Sequence, residues 1–238
     1  MRSPPSPSHD HDHDHGLCCA ADVFRDRTGA LSERLPGLDD EEGAALPEGI
    51  PDVVDSHVHL FPPAIFERIW LWFERYGWPI RYQLQARETL QFLFDRGVKQ
   101  VVALHYSHKP GLARDMNRFM AALTVDDPRV VGTATVLPGE PQAAAVLQEG
   151  LDLGLRAVKL HCHVQCMAPD APEMDPLYRV CSDAGAPMII HAGREPKSPA
   201  YKVDTYAICA AERVERVLRR WPDLKLICLL YTSPSPRD

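Results

Sequence analysis

The feature that most constrains the fold is a regular alternation of short apolar segments with amphipathic segments from about residue 50 onward. The apolar segments are rich in Val and Ile, as buried strands are, while the intervening segments repeat apolar residues at helical spacing. The predicted strands cover residues 53–59, 98–105, 130–136, 155–161, 187–191 and 224–227. The clearest predicted helices cover residues 86–96, 112–123 and 205–220, and another begins at Asp175 and Pro176. This alternation predicts parallel strands joined by right-handed crossovers.

Two architectures fit this pattern, an open doubly wound sheet and a (β/α)8 barrel of the TIM type. The doubly wound fold usually carries a glycine-rich phosphate loop after an early strand, and neither GxGxxG nor GxxxxGK occurs in the sequence. Four of the predicted strands instead end in histidine, at His59, His105, His161 and His191. Catalytic side chains at the carboxyl ends of strands are typical of the barrel. We therefore predict an α/β fold of the (β/α)8 type, with about six of its eight strands present.

Composition limits the class of protein. The chain has 238 residues, of which 45% are hydrophobic, which suffices for one large domain. It contains no apolar stretch near the roughly 20 residues of a membrane helix and no signal peptide, so a soluble, cytoplasmic protein is expected. Seven cysteines at irregular spacing predict reduced thiols.

The charge pattern bears on the partners. Residues 49–238 carry twenty-two acidic and twenty-two basic side chains. A neutral body without a basic stripe argues against a nucleic-acid partner. We expect a small-molecule substrate and no membrane partner, and the sequence leaves homo-oligomerisation open.

Residues 1–47 differ from the rest of the chain. They are acidic and rich in proline and serine, and they alternate His and Asp at positions 9–15. Such a composition cannot bury a core and predicts a disordered leader. The four histidines of this leader are potential metal ligands, but a solvated low-complexity segment is the simpler interpretation.

Two histidines one residue apart close the first predicted strand, in the segment DVVDSHVHLF. Strand alternation predicts that Asp55, His57 and His59 share one face, which would suit a common ligand. His191 ends the aliphatic strand PMIIHAG, where a neutral imidazole is a suitable ligand for zinc or another divalent ion. The other interpretation is a set of core histidines hydrogen-bonded to carboxylates or carbonyl groups. That interpretation does not explain why these histidines gather at strand ends.

Three segments resemble a known family. VVDSHVHLF, GLRAVKLHCHVQ and PMIIHAGREP are similar to strands one, four and five of the amidohydrolase superfamily, in its amidohydrolase-related branch of metal-dependent hydrolases and non-oxidative decarboxylases. The resemblance covers roughly residues 50–227. It implies that His57 and His59 bind a divalent metal, zinc or alternatively manganese, and that His191 is a further ligand or a near neighbour. It also implies a metal-bound water or hydroxide as the nucleophile, since a divalent ion lowers the pKa of water from 15.7 to about 7.

The fourth predicted strand adds two candidate catalytic residues. Strand alternation places Lys159, His161 and His163 on one face, and the apolar residues between them on the other. An inward lysine needs a partner. In some relatives a lysine at this place is carboxylated and bridges two metals. The other interpretation is a lysine that pairs with a carboxylate or contacts the substrate.

The loops after strands two and five are predicted to lie at the mouth of the barrel, where loops commonly hold substrate. Candidate substrate-binding residues there are His105, His108, Arg194 and Lys197. Their side chains suit an anionic group such as a carboxylate.

The segment CLLYTSPSPRD, residues 228–238, departs from the alternation of strands and helices. One back-translation of it resembles a transposase adapter used in sequencing libraries, so we expect these residues to be non-native. The barrel-like region, residues 48–227, would then lack two strands, the histidine after strand six and the aspartate after strand eight that the resemblance implies. The chain as written is expected to be poorly soluble and inactive, because six strands leave open sheet edges.

Three functions are compatible with these residues. The leading hypothesis is a metal-dependent hydrolase that acts on a small amide, ester or cyclic substrate. A non-oxidative decarboxylase of the same superfamily would use the same ligands. The third is a non-catalytic metal-binding protein whose leader buffers ions.

Overall fold

The computed structural model describes residues 43–46, 49–50, 52–77, 80–193 and 200–231. The chain divides into two units, residues 1–44 and 45–238. The leader predicted over residues 1–47 lies almost entirely outside the described residues. In the described part of the chain, no helix combines the length and the apolar character needed to span a membrane.

Six parallel strands form one sheet. They are β1 (Val54–His59), β2 (Gln100–Leu104), β3 (Val130–Ala134), β4 (Ala157–His161), β5 (Met188–Gly193) and β6 (Leu226–Tyr231). The strands lie in chain order, and every neighbouring pair is parallel. A doubly wound sheet reverses its strand order at a switch point, whereas a barrel adds each strand beside the last. The fold is therefore a partial (β/α)8 barrel, which confirms the predicted fold class.

Helices connect the strands. They are α1 (Pro63–Tyr76), α2 (Ala86–Asp95), α3 (Ala113–Asp126), α4 (Ala143–Asp152), α5 (Cys162–Gln165), α6 (Asp175–Ala184), α7 (Thr205–Ile208) and α8 (Ala211–Arg220). The single helix predicted over 205–220 is in fact two, α7 and α8. Asp204 caps α7 by accepting a hydrogen bond from the Tyr206 backbone N–H at 3.0 Å. α7 ends at Ile208, and the carbonyl oxygen of the next residue, Cys209, accepts a hydrogen bond from the Gly193 N–H.

The core lies on both faces of the sheet. The larger part fills the space between strands and helices, where Val158 and Leu160 of β4 pack with Leu147 of α4 and Leu177 of α6. A smaller cluster on the inner face joins Leu104, Ala157 and Ile189. Buried strands with two apolar faces account for the near-continuous Val and Ile runs of the sequence.

Strand β6 extends further than predicted. It begins at Leu226 and continues to Tyr231, and it pairs with β5 along its length, with His191 opposite Leu229. Residues 228–231 therefore continue the sheet, and residues 232–238 lie outside the described residues. The proposal that 228–238 is non-native stays a prediction.

Candidate active site

The first two histidines meet at the carboxyl end of β1. The Nε2 atoms of His57 and His59 are 3.1 Å apart, and the two ring centroids are 5.0 Å apart. The register to β2 shifts between Asp55 and Val58, which marks a bulge in β1. Because of this bulge, Asp55 and Val58 pair with Val101 and Ala103, two residues of the core beneath the helices.

The bulge corrects one prediction about β1. Asp55 does not continue the inner face on which His59 lies, because the extra residue reverses the alternation between them. The Asp55 side chain instead accepts a hydrogen bond from the His57 backbone N–H at 3.0 Å. Asp55 thus supports the backbone of the bulge that carries His57.

The next two histidines lie side by side on neighbouring strands. His161 of β4 and His191 of β5 are in register, and their rings stack at 4.2 Å with an interplanar angle of 6°. The ring of His57 lies 6.3 Å from that of His191. Four imidazoles from three strands therefore converge at the carboxyl ends of the sheet.

Lys159 lies one inward position below His161 on β4. Its side chain is fully buried, and it is in register with Ile189 of the inner cluster. The intervening Leu160 belongs to the outer core, which confirms the predicted alternation of this strand. This end of the sheet thus combines four imidazoles with one buried lysine side chain.

An aromatic wall flanks the histidines. Tyr106 follows β2 and lies 5.5 Å from the ring of His59, 4.9 Å from that of His161 and 5.0 Å from that of Phe61. The alternation of β2 could have revealed Tyr106, because it continues the inner series of Val102 and Leu104.

The predicted substrate-binding residues have different positions. His105 continues the series of Val101 and Ala103 on the outer face of β2. Its buried ring lies there beside the Thr133 backbone and the Asn117 side chain. The side chain of His105 thus lies on the helix side of β2, and its substrate role stays a prediction. His108 is exposed in the loop after β2. Arg194 and Lys197 lie outside the described residues.

Comparison with known proteins identifies the family. The sequence model described as amidohydrolase matches residues 54–228, about three quarters of the chain. The chain belongs to the amidohydrolase family. No curated protein sequence matches it.

Solved structures share the fold of this chain. 5-Carboxyvanillate decarboxylase of Novosphingobium aromaticivorans, in complex with manganese and 4-hydroxy-3-methoxy-5-nitrobenzoic acid, is 16% identical with a TM-score of 0.59, over 77% of this chain and 66% of that one. 2,6-Dihydroxybenzoate decarboxylase of Rhizobium is 15% identical with a TM-score of 0.52, over 75% and 66%. A TIM-barrel protein of Bordetella bronchiseptica is 24% identical with a TM-score of 0.52, over 75% and 66%. The chain thus spans about two thirds of the length of these structures.

Burial keeps the amidohydrolase histidines neutral. Desolvation, followed by the charge of Lys159, holds the pKa of His59 well below its usual 6.5. Desolvation and then His191 and Lys159 lower the pKa of His161 in the same way. Since a metal ligand must be an unprotonated imidazole, these rings are in the form that binds metal at neutral pH.

The donor set at the end of β1 fits a divalent ion. Two nitrogens bound to one tetrahedral ion at about 2.0–2.1 Å are roughly 3.3–3.4 Å apart. The His57 and His59 Nε2 atoms are 3.1 Å apart, close to that separation. Within the described ranges, no three His, Cys, Asp or Glu side chains already form a metal-holding group. The arrangement therefore brings two candidate ligands to a separation close to that of a shared ion, and the ring of His191 lies 6.3 Å from that of His57.

Proposed function

We propose that this amidohydrolase-family chain is part of a metal-dependent enzyme that acts at the carbonyl or carboxyl carbon of a small, anionic substrate. The observation that carries this proposal is the 3.1 Å approach of the His57 and His59 Nε2 atoms at the carboxyl end of β1. His57, His59 and His191 would hold a divalent ion, zinc or manganese. Such an ion, when bound, supplies a Lewis acid that polarises a carbonyl group and lowers the pKa of water.

The other residues of the cluster have separate roles. His161 stacks on His191, which places its ring beside a proposed metal ligand as the candidate proton acceptor. Lys159 contributes a buried side chain beneath the rings that attracts a substrate carboxylate. His108, with Arg194 and Lys197, would bind the anionic end of the substrate from the loops.

Hydrolysis is the first candidate reaction, and non-oxidative decarboxylation is the second. Lys159 is buried beneath histidines that are themselves neutral. Its amine favours a carboxylate-bearing substrate, which decarboxylation requires. Two of the structures that share the fold are decarboxylases of aromatic acids, one of them in complex with manganese.

The metal content of the full-length enzyme of which this chain is part, purified without a tag, tests the proposal. We expect close to one equivalent of zinc or manganese after incubation and gel filtration, and a loss of most of it in His59→Ala, because no neighbouring group replaces that ligand. Deletion of residues 1–16 is the matched control, since it removes the leader histidines and leaves the barrel intact. Metal that disappears with the leader and persists in His59→Ala would refute the barrel site.

Product analysis separates the two reactions. The metal-loaded protein is incubated with aromatic carboxylic acids and, separately, with amides and lactones. Release of carbon dioxide from the acids would identify a decarboxylase, whereas ring opening or amide cleavage would identify a hydrolase.

A further inference from the structure

One helical turn, α5 (Cys162–Gln165), follows β4 directly and carries two buried polar side chains that the proposed chemistry does not use. These are His163, which is fully buried, and Gln165, which is 8% exposed. A buried polar side chain is costly unless it is hydrogen-bonded, so the partners of these two residues indicate what they do.

Gln165 bonds to three different strand ends. Its Oε1 atom accepts a hydrogen bond from the His161 backbone N–H at 2.8 Å. Its Nε2 atom donates to the carbonyl oxygens of Ser107 and Val136, each at 2.8 Å. One side-chain amide thereby joins the end of β4 to the segments that follow β2 and β3.

His163 bonds to the end of the next strand. Its Nε2 atom lies 3.1 Å from the carbonyl oxygen of Gly193, to which it donates. The Gly193 N–H in turn donates to the Cys209 carbonyl oxygen at 2.6 Å. Gly193 has φ of +103°, a conformation that favours glycine. It lies two residues after His191, and both its N–H and its carbonyl group are hydrogen-bonded.

We propose that Gln165 and His163 are positioning residues, which fix the backbone that carries His161 and the backbone that carries His191. This inference rests on the proposed function, since it assigns these two bonds the task of holding the histidine cluster in its binding arrangement. Residues that orient metal ligands affect metal affinity or activity by about 10- to 100-fold when they are replaced.

The first experiment requires no metal. Gln165→Met retains the length of the side chain and removes all three hydrogen bonds. Amide hydrogen exchange of the full chain should show the His161 amide exchanging about tenfold faster in this variant, because its acceptor is gone. Gln148→Met is the matched control, because Gln148 lies on the exposed side of α4 and bonds only Asp152, at 2.9 Å, among the contacts described. An unchanged exchange rate at His161 would overturn the role of Gln165.

The second experiment measures the affinity of the chain for Co²⁺ alone, followed by its visible absorption. His163→Phe retains a ring but cannot donate, whereas His163→Gln can still donate to the Gly193 carbonyl. We expect Gln165→Met and His163→Phe to weaken Co²⁺ binding by about tenfold or more, and His163→Gln to return within about threefold of wild type. If all three variants bind Co²⁺ with the affinity of the wild type, the proposal is overturned.

The two experiments also separate this inference from the proposed function. If the wild-type chain binds no Co²⁺, the metal-dependent function fails, while faster exchange at the His161 amide in Gln165→Met still supports the backbone role. If Gln165→Met does not fold, the two His163 variants decide, because loss of Co²⁺ affinity in His163→Phe with recovery in His163→Gln requires the donated bond. If His163→Gln binds Co²⁺ as weakly as His163→Phe, the proposed positioning role of His163 is overturned.

Discussion

Replacement of Asn117 should lower the free energy of unfolding by more than one lost hydrogen bond would, because its side chain bonds two backbone groups. Asn117 is buried on α3, and its Nδ2 atom donates to the Thr135 carbonyl oxygen at 3.0 Å. Its Oδ1 atom accepts from the Thr135 backbone N–H at 2.9 Å. Asn117→Ala leaves both backbone groups of Thr135 buried without these partners. Each such group costs about 1–3 kcal/mol, so we expect the free energy of unfolding to fall by about 2–6 kcal/mol.

Urea denaturation followed by tryptophan fluorescence measures this change. With a slope of about 1–3 kcal/mol per molar urea, the midpoint should fall by roughly 1 M or more. Val125→Ala on the same helix is the control, since Val125 is 82% exposed and its replacement should stay within about 0.5 kcal/mol. A loss of less than about 1 kcal/mol in Asn117→Ala would refute the reasoning, because it would mean that Thr135 finds other partners at little cost.

Two further predictions concern packing and pH. A Cβ atom added at Gly132 would lie 2.7–2.9 Å from side-chain carbons of three neighbours, so Gly132→Ala should lower stability by about 1–3 kcal/mol, measured by thermal unfolding, and an unchanged midpoint would contradict it. Burial acts to raise the pKa of Asp170, but hydrogen bonds from Arg213 and Arg216 outweigh it and hold the pKa below its usual 3.8. A carboxyl group whose pKa is lower in the folded than in the unfolded protein stabilises the fold at pH values above the unfolded pKa. This stabilisation is lost as the pH falls through the folded pKa. The stability advantage of wild type over Asp170→Asn should therefore shrink below about pH 4 in urea titrations at several pH values, and a constant difference would count against it.

The sequence predicts the strands well where both faces of a strand have a clear identity. In β4 the inner series ends in Lys159 and His161 while the residue between them is apolar, so period-two alternation assigns every side chain correctly. The same alternation places His191 beside His161, because β4 and β5 are adjacent and the two histidines are in register. The stacked pair of imidazoles was therefore accessible from sequence.

Two positions, Asp55 and His105, lie on the outer side of the sheet for different physical reasons. A bulge changes the face of every residue before it, and nothing in the VVDSHVH segment marks an extra residue between Asp55 and Val58. At the end of β2, His105 is polar yet faces the helices, whereas Tyr106 faces the histidines. Polarity indicates that a side chain needs a partner, but only the phase of the strand indicates on which side that partner lies.

The hydrogen bonds of α5 could not be predicted from the local sequence, because their partners are distant in the chain. Gln165 contacts the carbonyl oxygens of Ser107 and Val136, which are 58 and 29 residues away in the chain. A glutamine four residues after a strand end has many ordinary explanations in sequence, including an exposed loop position. Its role becomes visible only when the barrel brings three strand ends to one place.

The histidines of the site differ in how firmly the fold holds them. His161 and His191 lie on neighbouring strands whose ends are tied by α5, and both rings are buried. His57 and His59 lie on β1, which has one sheet neighbour in the described part of the chain and carries a bulge. An ion shared between His59 and His191 would join strand β1 to strand β5 across the inner face. Because binding to the folded state alone stabilises that state, the ion would contribute most at β1, where the protein supplies the fewest bonds of its own.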